Sequence, residues 1–310
     1  MSNESYPIVS EELPVKAGPA KPNKAPAVPV VLRLMRAAFS VGGVVFPRLA
    51  GRLAYRLWLT PTRFRTPVSE QAVLTSAVVD QLELDGMRIA TYAWGQSGPA
   101  VLLVHGWSGR GTQLGAFVEP LINAGYRVIS FDAPAHGNSS GRQTSLYQIA
   151  DVVVALNQRL GPFESVITHS FGGPCLAAAM QQGVHPAAVV SLSPPASVAV
   201  LVHRFAETLA IPARAEQDFV RRFKQAFGDD ILEVASMQNN VRNLAVPALV
   251  IHDEDDKDVP WQEGRAVAQA WNGARFIRTS KLGHRRILRD PATIEASVEF
   301  IRSNQSKADI

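Results

Sequence analysis

Val166-Ile167-Thr168-His169-Ser170-Phe171-Gly172-Gly173 carries an apolar run straight into a helical pattern, with a serine at the join. Residues 165–168 have the continuous hydrophobicity of a strand buried on both faces, and residues 171–182 have helical periodicity. A tight turn between two such elements, with small residues on its far side, lifts the Ser170 hydroxyl above the sheet. A serine that merely caps a helix reads the same way in isolation, so its meaning depends on the segments around it.

Outward from this join the alternation continues. Apolar runs at residues 100–104, 127–131, 187–192 and 248–251 read as buried strands, and residues 112–123 and 146–160 read as helices between them. A helix at 262–271, a strand at 275–279 and a final helix at 287–301 complete the series. Ahead of it, residues 77–84 and 87–94 read as two strands joined by Asp85-Gly86, a two-residue hairpin signal. The expected fold is α/β, a mostly parallel, doubly wound sheet with helices on both faces and right-handed crossovers. Between Ser193-Pro194-Pro195 and Pro247 the strands lapse and helical patterns follow one another. An insertion there, after the C-terminal end of a strand, lies over the ligand edge of the sheet as a helical lid.

The N-terminal part differs in kind. Residues 13–30, rich in Pro, Ala and Lys, cannot bury a core. Residues 31–58 look helical in two pieces, broken at Gly42-Gly43, with Pro47 suited to the first turn of the second. In that piece Arg48, Arg52 and Arg56 form a stripe beside Leu49, Leu53 and Leu57. The expected division is a flexible leader over 1–30, a basic helical arm over 31–75, a core over 76–195 and 247–310, and a lid over 196–246.

The 310 residues, 46% hydrophobic and 19% charged, suffice for one large core. The net charge of +4 is an uneven average: between Glu12 and Glu70 stand ten Lys and Arg and no acid, while from Glu70 onward 24 acids face 21 bases. The basicity belongs to the arm, which argues against a nucleic-acid groove in the core. The single cysteine, Cys175, excludes an intramolecular disulfide, and the polar, acidic opening residues do not resemble a secretory signal. With no apolar run near the roughly 20 residues of a spanning helix, the cytoplasm is the expected location.

The serine join resembles the G-x-S-x-G nucleophile elbow of the α/β-hydrolases, with Thr168 in place of the first glycine, where a β-branched side chain crowds the turn. Four further segments carry the resemblance in the order of that family. Leu103-Val104-His105-Gly106-Trp107-Ser108-Gly109 is similar to its His-Gly loop, which implies an oxyanion hole formed by the backbone N–H groups of Trp107 and Phe171. Phe131-Asp132-Ala133-Pro134-Ala135-His136-Gly137-Asn138-Ser139 is similar to a D-x-x-G-H-G-x-S turn, with Ala135 replacing a glycine. His105 and His136 are expected to be structural.

Ile251-His252-Asp253-Glu254-Asp255-Asp256-Lys257-Asp258-Val259-Pro260 offers several carboxylates. The family's D-x-x-V-P pattern falls on Asp256 as the supporting acid, with Asp253, Asp255 and Asp258 as alternatives. Leu282-Gly283-His284 follows the last strand and implies His284 as general base. His185, His203 and His252 lack partner motifs and receive no role.

The resemblance, spanning about residues 76–303, implies a serine hydrolase of a carboxylic ester or thioester working through an acyl-enzyme. Amidase, perhydrolase or carbon–carbon hydrolase chemistry, or a non-catalytic binding protein on the same fold, are the alternatives. A serine at the elbow argues against the dehalogenase and epoxide-hydrolase branches, which use Asp there. No nicotinamide, flavin or zinc fingerprint appears, so no cofactor or metal is expected. The expected partner is a small-molecule acyl substrate. Phe205, Phe219, Phe223 and Phe227 suggest an apolar lid face, or plain packing. The arm is expected to dock its leucines on its own domain or a dimer partner, with a membrane surface the less favoured reading.

Overall fold

Nine strands hydrogen-bond into one sheet in the computed structural model, which describes residues 10–12 and 29–305. They are β1 (Ser10–Glu12), β2 (Val78–Leu84), β3 (Met87–Trp94), β4 (Ala100–Val104), β5 (Arg127–Phe131), β6 (Phe163–His169), β7 (Ala188–Leu192), β8 (Ala248–Asp253) and β9 (Arg275–Thr279). The spatial order is β1-β9-β8-β7-β6-β4-β5-β3-β2. All neighbours pair in parallel except β2 with β3 and β3 with β5, which are antiparallel. Asp85 and Gly86, both at positive φ, close the β2–β3 hairpin as their types predict. Of the leader expected over 1–30, Ser10–Glu12 pair with β9, and residues 1–9 and 13–28 lie outside the described residues.

The helices are α1 (Val30–Val45), α2 (Pro47–Trp58), α3 (Val68–Ser76), α4 (Val118–Asn123), α5 (Leu146–Leu160), α6 (Gly172–Gln181), α7 (Val198–Leu209), α8 (Ala213–Phe227), α9 (Ile231–Val234), α10 (Met237–Asn240), α11 (Trp261–Ala270), α12 (Gly283–Arg286) and α13 (Pro291–Ser303). Strand alternation distributes the core over both sheet faces. On β4, Leu102 and Val104 join one apolar cluster, while Val101 and Leu103 join the other. Val166 and Ile167 of β6, and Val189 and Val190 of β7, divide the same way. That is why these strands read as unbroken apolar runs.

Three helical expectations change in detail. Helix α1 runs through Gly42-Gly43 to Val45, and the break between the two pieces falls at Phe46, before Pro47. Residues 112–123 form a 3₁₀ segment, Gly111–Phe117, before α4. The expected final helix breaks after a 3₁₀ turn over Ile287–Arg289, because Asp290 caps the Thr293 N–H at 2.9 Å and Pro291 starts α13. Helix α3, which lies in the expected arm, has no counterpart in the sequence reading.

Helices α7 to α10 fill the strandless interval before β8, and α2 packs against α8. The docked face of α2 is Ala50, Gly51 and Ala54, and of the three leucines only Leu57 packs against the core: Leu49 is 64% and Leu53 49% exposed. Close approach explains the choice. A Cβ on Gly51 would lie 2.5 Å from Asp218 Oδ2 and 2.8 Å from the Ala215 carbonyl, so only small residues admit α8. Tyr55 and Trp58 continue this face: Tyr55 meets Phe223 edge-on at 5.2 Å, and Trp58 meets Phe205 at 5.3 Å and Phe223 at 5.8 Å. Full burial of a large apolar side chain is worth about 1.5–3 kcal/mol, and Tyr55 and Trp58, each partly buried, gain a share of that.

Candidate active site

Parallel pairing brings the C-terminal ends of β4, β6 and β8 to one edge of the sheet. Ser170 follows β6 at a φ of 51°, a left-handed conformation that costs a non-glycine residue roughly 1–3 kcal/mol. Its neighbours hold it there. The Ser170 N–H donates to the Leu192 carbonyl at 2.9 Å, and its carbonyl accepts the Gly173 N–H at 2.9 Å. Gly172 allows α6 to start against β4, since a Cβ there would lie 2.6 Å from the Val104 carbonyl. Gly106 is equally confined: its Cβ would lie 3.0 Å from Ser170 Cβ and 3.1 Å from the His169 carbonyl. Thr168 fills the space of the missing glycine with a hydroxyl pair, 2.9 Å from Ser191 Oγ on β7.

Asp256 and His284 meet. Asp256 Oδ2 is 2.7 Å from His284 Nδ1, while Oδ1 accepts the N–H groups of Asp258 at 2.9 Å and Val259 at 2.8 Å. The Asp256 side chain is fully buried and that of His284 is 12% exposed. Burial pushes the Asp256 carboxyl up, but hydrogen bonds from His252 and then His284 outweigh it and hold the group well below its ordinary range.

The other carboxylates do different work. Asp253 Oδ1 accepts the Gly283 N–H at 2.7 Å, and Oδ2 accepts the Thr279 hydroxyl at 2.8 Å and the Leu282 N–H at 3.1 Å. It clamps the loop that carries His284. Asp255 accepts the Lys281 N–H at 2.8 Å. Asp258 stands at the rim of the Ser170 cleft.

Two histidines without an expected role adjoin the pair. His252 Nε2 donates to the Val259 carbonyl at 3.0 Å and lies 3.3 Å from Asp256 Oδ2. His169 Nε2 donates to the His284 carbonyl at 2.9 Å, with the two rings 4.6 Å apart. Burial, with the His284 ring beside it, pulls His169 down to about 3. Both stand next to a motif residue in the sequence, but no spacing rule distinguishes them from packing residues.

On the other side of Ser170, the Trp107 and Phe171 rings meet edge-on at 5.4 Å. Neither backbone N–H donates to another group among the described residues, which leaves both available to a ligand oxygen. His136 Nε2 accepts the Ser108 N–H at 2.9 Å and His105 Nε2 accepts the Ala133 N–H at 3.0 Å, so both rings act as loop braces. Burial, and then His105 close by, lower His136 to about 3. Ala135 sits at a φ of 65°, the conformation for which a glycine is the usual choice. Arg63 secures that turn, donating to the carbonyls of Ala135, Gly137, Ser139 and Gly141 at 2.7–3.1 Å.

Ser170 and His284 line one cleft of about 580 Å³, with no hydrogen bond between them among the described residues. Such contacts are often loose before substrate binds. Arg65, Arg110, Arg285 and Arg289 line the same cleft. Arg110 is held by buried Glu70 through contacts of 2.5 and 2.6 Å. Beyond Trp107 lies a narrow apolar pocket bounded by Trp58, Phe171, Phe223 and Phe227. Phe205, Phe219 and Phe223 pack on Trp58, and Phe223 and Phe227 line this pocket. His185 and His203 lie exposed and away from the cleft, and His203 pairs with Glu216 at 2.9 Å. Among the described residues no three His, Cys, Asp or Glu gather as a metal site.

Among curated proteins, the lysophosphatidylserine lipase ABHD12 of Danio rerio is 27% identical over 230 residues, covering 67% of this chain and 59% of the relative. The chain therefore spans about three fifths of that relative's length. Among solved structures, alpha/beta hydrolase domain-containing protein 10 from mouse superposes with a TM-score of 0.59 at 18% identity, over 73% of this chain and 98% of that one. An esterase from Rhodococcus sp. superposes with a TM-score of 0.56 at 19% identity, over 74% and 99%. At these identities the likeness is one of fold. Residues 101–296 match the sequence profile of the alpha/beta hydrolase family, and they hold the elbow, the Asp256–His284 pair and most of the sheet: the chain belongs to that family.

Proposed function

We propose that the chain is a serine hydrolase that cleaves a carboxylic ester or thioester through an acyl-enzyme. His284 Nε2 takes the Ser170 proton as Oγ attacks the substrate carbonyl. Asp256 holds Nδ1 and stabilises the imidazolium that forms. The N–H groups of Trp107 and Phe171 receive the oxyanion. The leaving alcohol or thiol departs with the proton from His284, and water deacylates the serine by the same route. The observation that carries this reading is the 2.7 Å contact of a fully buried Asp256 with a His284 that lines the cleft of Ser170.

Helices α7 to α10 act as the lid, and the apolar pocket beside Trp107 takes the acyl group. Arg65 and Arg285, on the cleft side, suit an ester with an anionic group. The Danio rerio relative is named for such a substrate, lysophosphatidylserine. The buried, unpaired Cys175 is compatible with the cytoplasm. The test is a series of p-nitrophenyl esters of increasing acyl length. Turnover should be highest for short chains, because the apolar pocket is narrow, and should fall as the chain outgrows it. Absence of turnover across the whole series contradicts the esterase reading.

A further inference from the structure

We propose that the outer face of α1 and α2 docks on an anionic lipid bilayer surface. Each helix turns one face to the protein and an apolar face to solvent. On α1, Phe39 and Gly43 point inward, and Arg36 Nη1 donates to the Thr208 carbonyl at 2.7 Å. Val30, Leu34, Val41 and Val45 are spaced to share the opposite face. On α2 the inner face is Ala50, Gly51 and Ala54, and Leu49 and Leu53 point outward. These six outward side chains are 49–69% exposed, and 11 of the 16 exposed large apolar side chains among the described residues lie between Val30 and Val68. Such concentration is uncommon on a surface that meets only water.

Charge selects the occupant. Arg48, Arg52 and Arg56 stand exposed among the outward leucines of α2, within a stretch of ten basic residues and no acid between Glu12 and Glu70. A second copy meeting this face across a two-fold axis would set these arginines against their own counterparts. A bilayer suits both components: the apolar side chains enter the acyl boundary, while the long arginine stems reach lipid phosphates. No helix among the described residues is long and apolar enough to cross a membrane, so the helices would lie along the surface. After α2 the chain reaches the cleft that holds Ser170, where exposed Phe64 and Arg65 are among the lining residues. The docking claim does not depend on the hydrolase reading.

Sedimentation of the full chain with vesicles tests it, using phosphatidylcholine alone and phosphatidylcholine with phosphatidylglycerol. Binding to the anionic vesicles should exceed binding to neutral ones by about tenfold or more at low salt, and should weaken as salt rises. Leu49→Ser with Leu53→Ser, and separately Arg48→Gln with Arg52→Gln and Arg56→Gln, should each lower it about tenfold with melting temperature unchanged. Equal binding to both vesicle types, or none, overturns the proposal. So does retention of wild-type binding by both variants. A dimer that the leucine variant dissociates would assign the face to a second copy. Vesicle binding that appears only after removal of residues 1–28 would assign it to the chain's own leader.

Discussion

Asp253 and Asp256 stand three residues apart in one acidic loop, yet their bonding partners differ, and the proposed mechanism gives only Asp256 a part in the chemistry. Asp253 accepts N–H and hydroxyl bonds from Thr279, Leu282 and Gly283, whereas Asp256 faces the His284 ring. Asp256→Asn should lower kcat by about 10³–10⁴-fold with the fold intact, because the amide no longer sustains the donating Nδ1 of His284. Asp253→Asn should instead lower the urea midpoint, since an NH2 group would face N–H donors in a buried site. Paired kinetics and unfolding curves separate the two. A larger loss of kcat at Asp253 would transfer the acid role. The sequence could nominate Asp256 through its distance to Val259-Pro260. It could not distinguish the neighbours' work, because each carboxylate's partner lies about 26–30 residues away with no periodic mark.

Elements were legible where a single face or strand decided their composition. The runs at 100–104, 127–131 and 275–279 and the helix at 146–160 appear residue for residue as β4, β5, β9 and α5. Helix α3 escaped notice: only Glu70 of its nine residues is buried, so no apolar stripe announced it. The docked face of α2 escaped for the opposite reason, since small residues that permit close approach carry little hydrophobic signal. Close approach also sets the elbow. Gly172→Ala should cost roughly 1–3 kcal/mol, because its Cβ would press the Val104 carbonyl and push α6 from β4. Urea unfolding measures this, and a midpoint equal to that of the unmodified chain would mean that β4 and α6 are not held at that spacing.

Across the whole molecule, the bracing histidines tie stability to pH. His136 and His169 are lowered to about 3 when folded, against an ordinary value near 6.5. The unfolded chain therefore binds more protons between those values, so stability is full above about pH 6.5 and falls as pH drops toward 3. Asp256, depressed when folded, adds a loss in the same direction below the ordinary carboxylate range. Each histidine contributes about 1.4 kcal/mol per pH unit in its window, so unfolding free energy should be about 2–3 kcal/mol lower near pH 5.5 than near 7.5. Equal values at the two pH points would mean that these rings are not buried neutral. The long-range fastenings, such as Arg63 across the Ala135 turn and Glu70 with Arg110, had no signal in the sequence, because they join residues that only folding makes neighbours. The proposed nucleophile remains the centre of the account. Treatment of the intact protein with a fluorophosphonate probe should add one covalent group, mapped by peptide mass to Ser170, absent in Ser170→Ala and slowed at least about 10³-fold in His284→Ala. Labelling elsewhere, or undiminished labelling of Ser170→Ala, would contradict it.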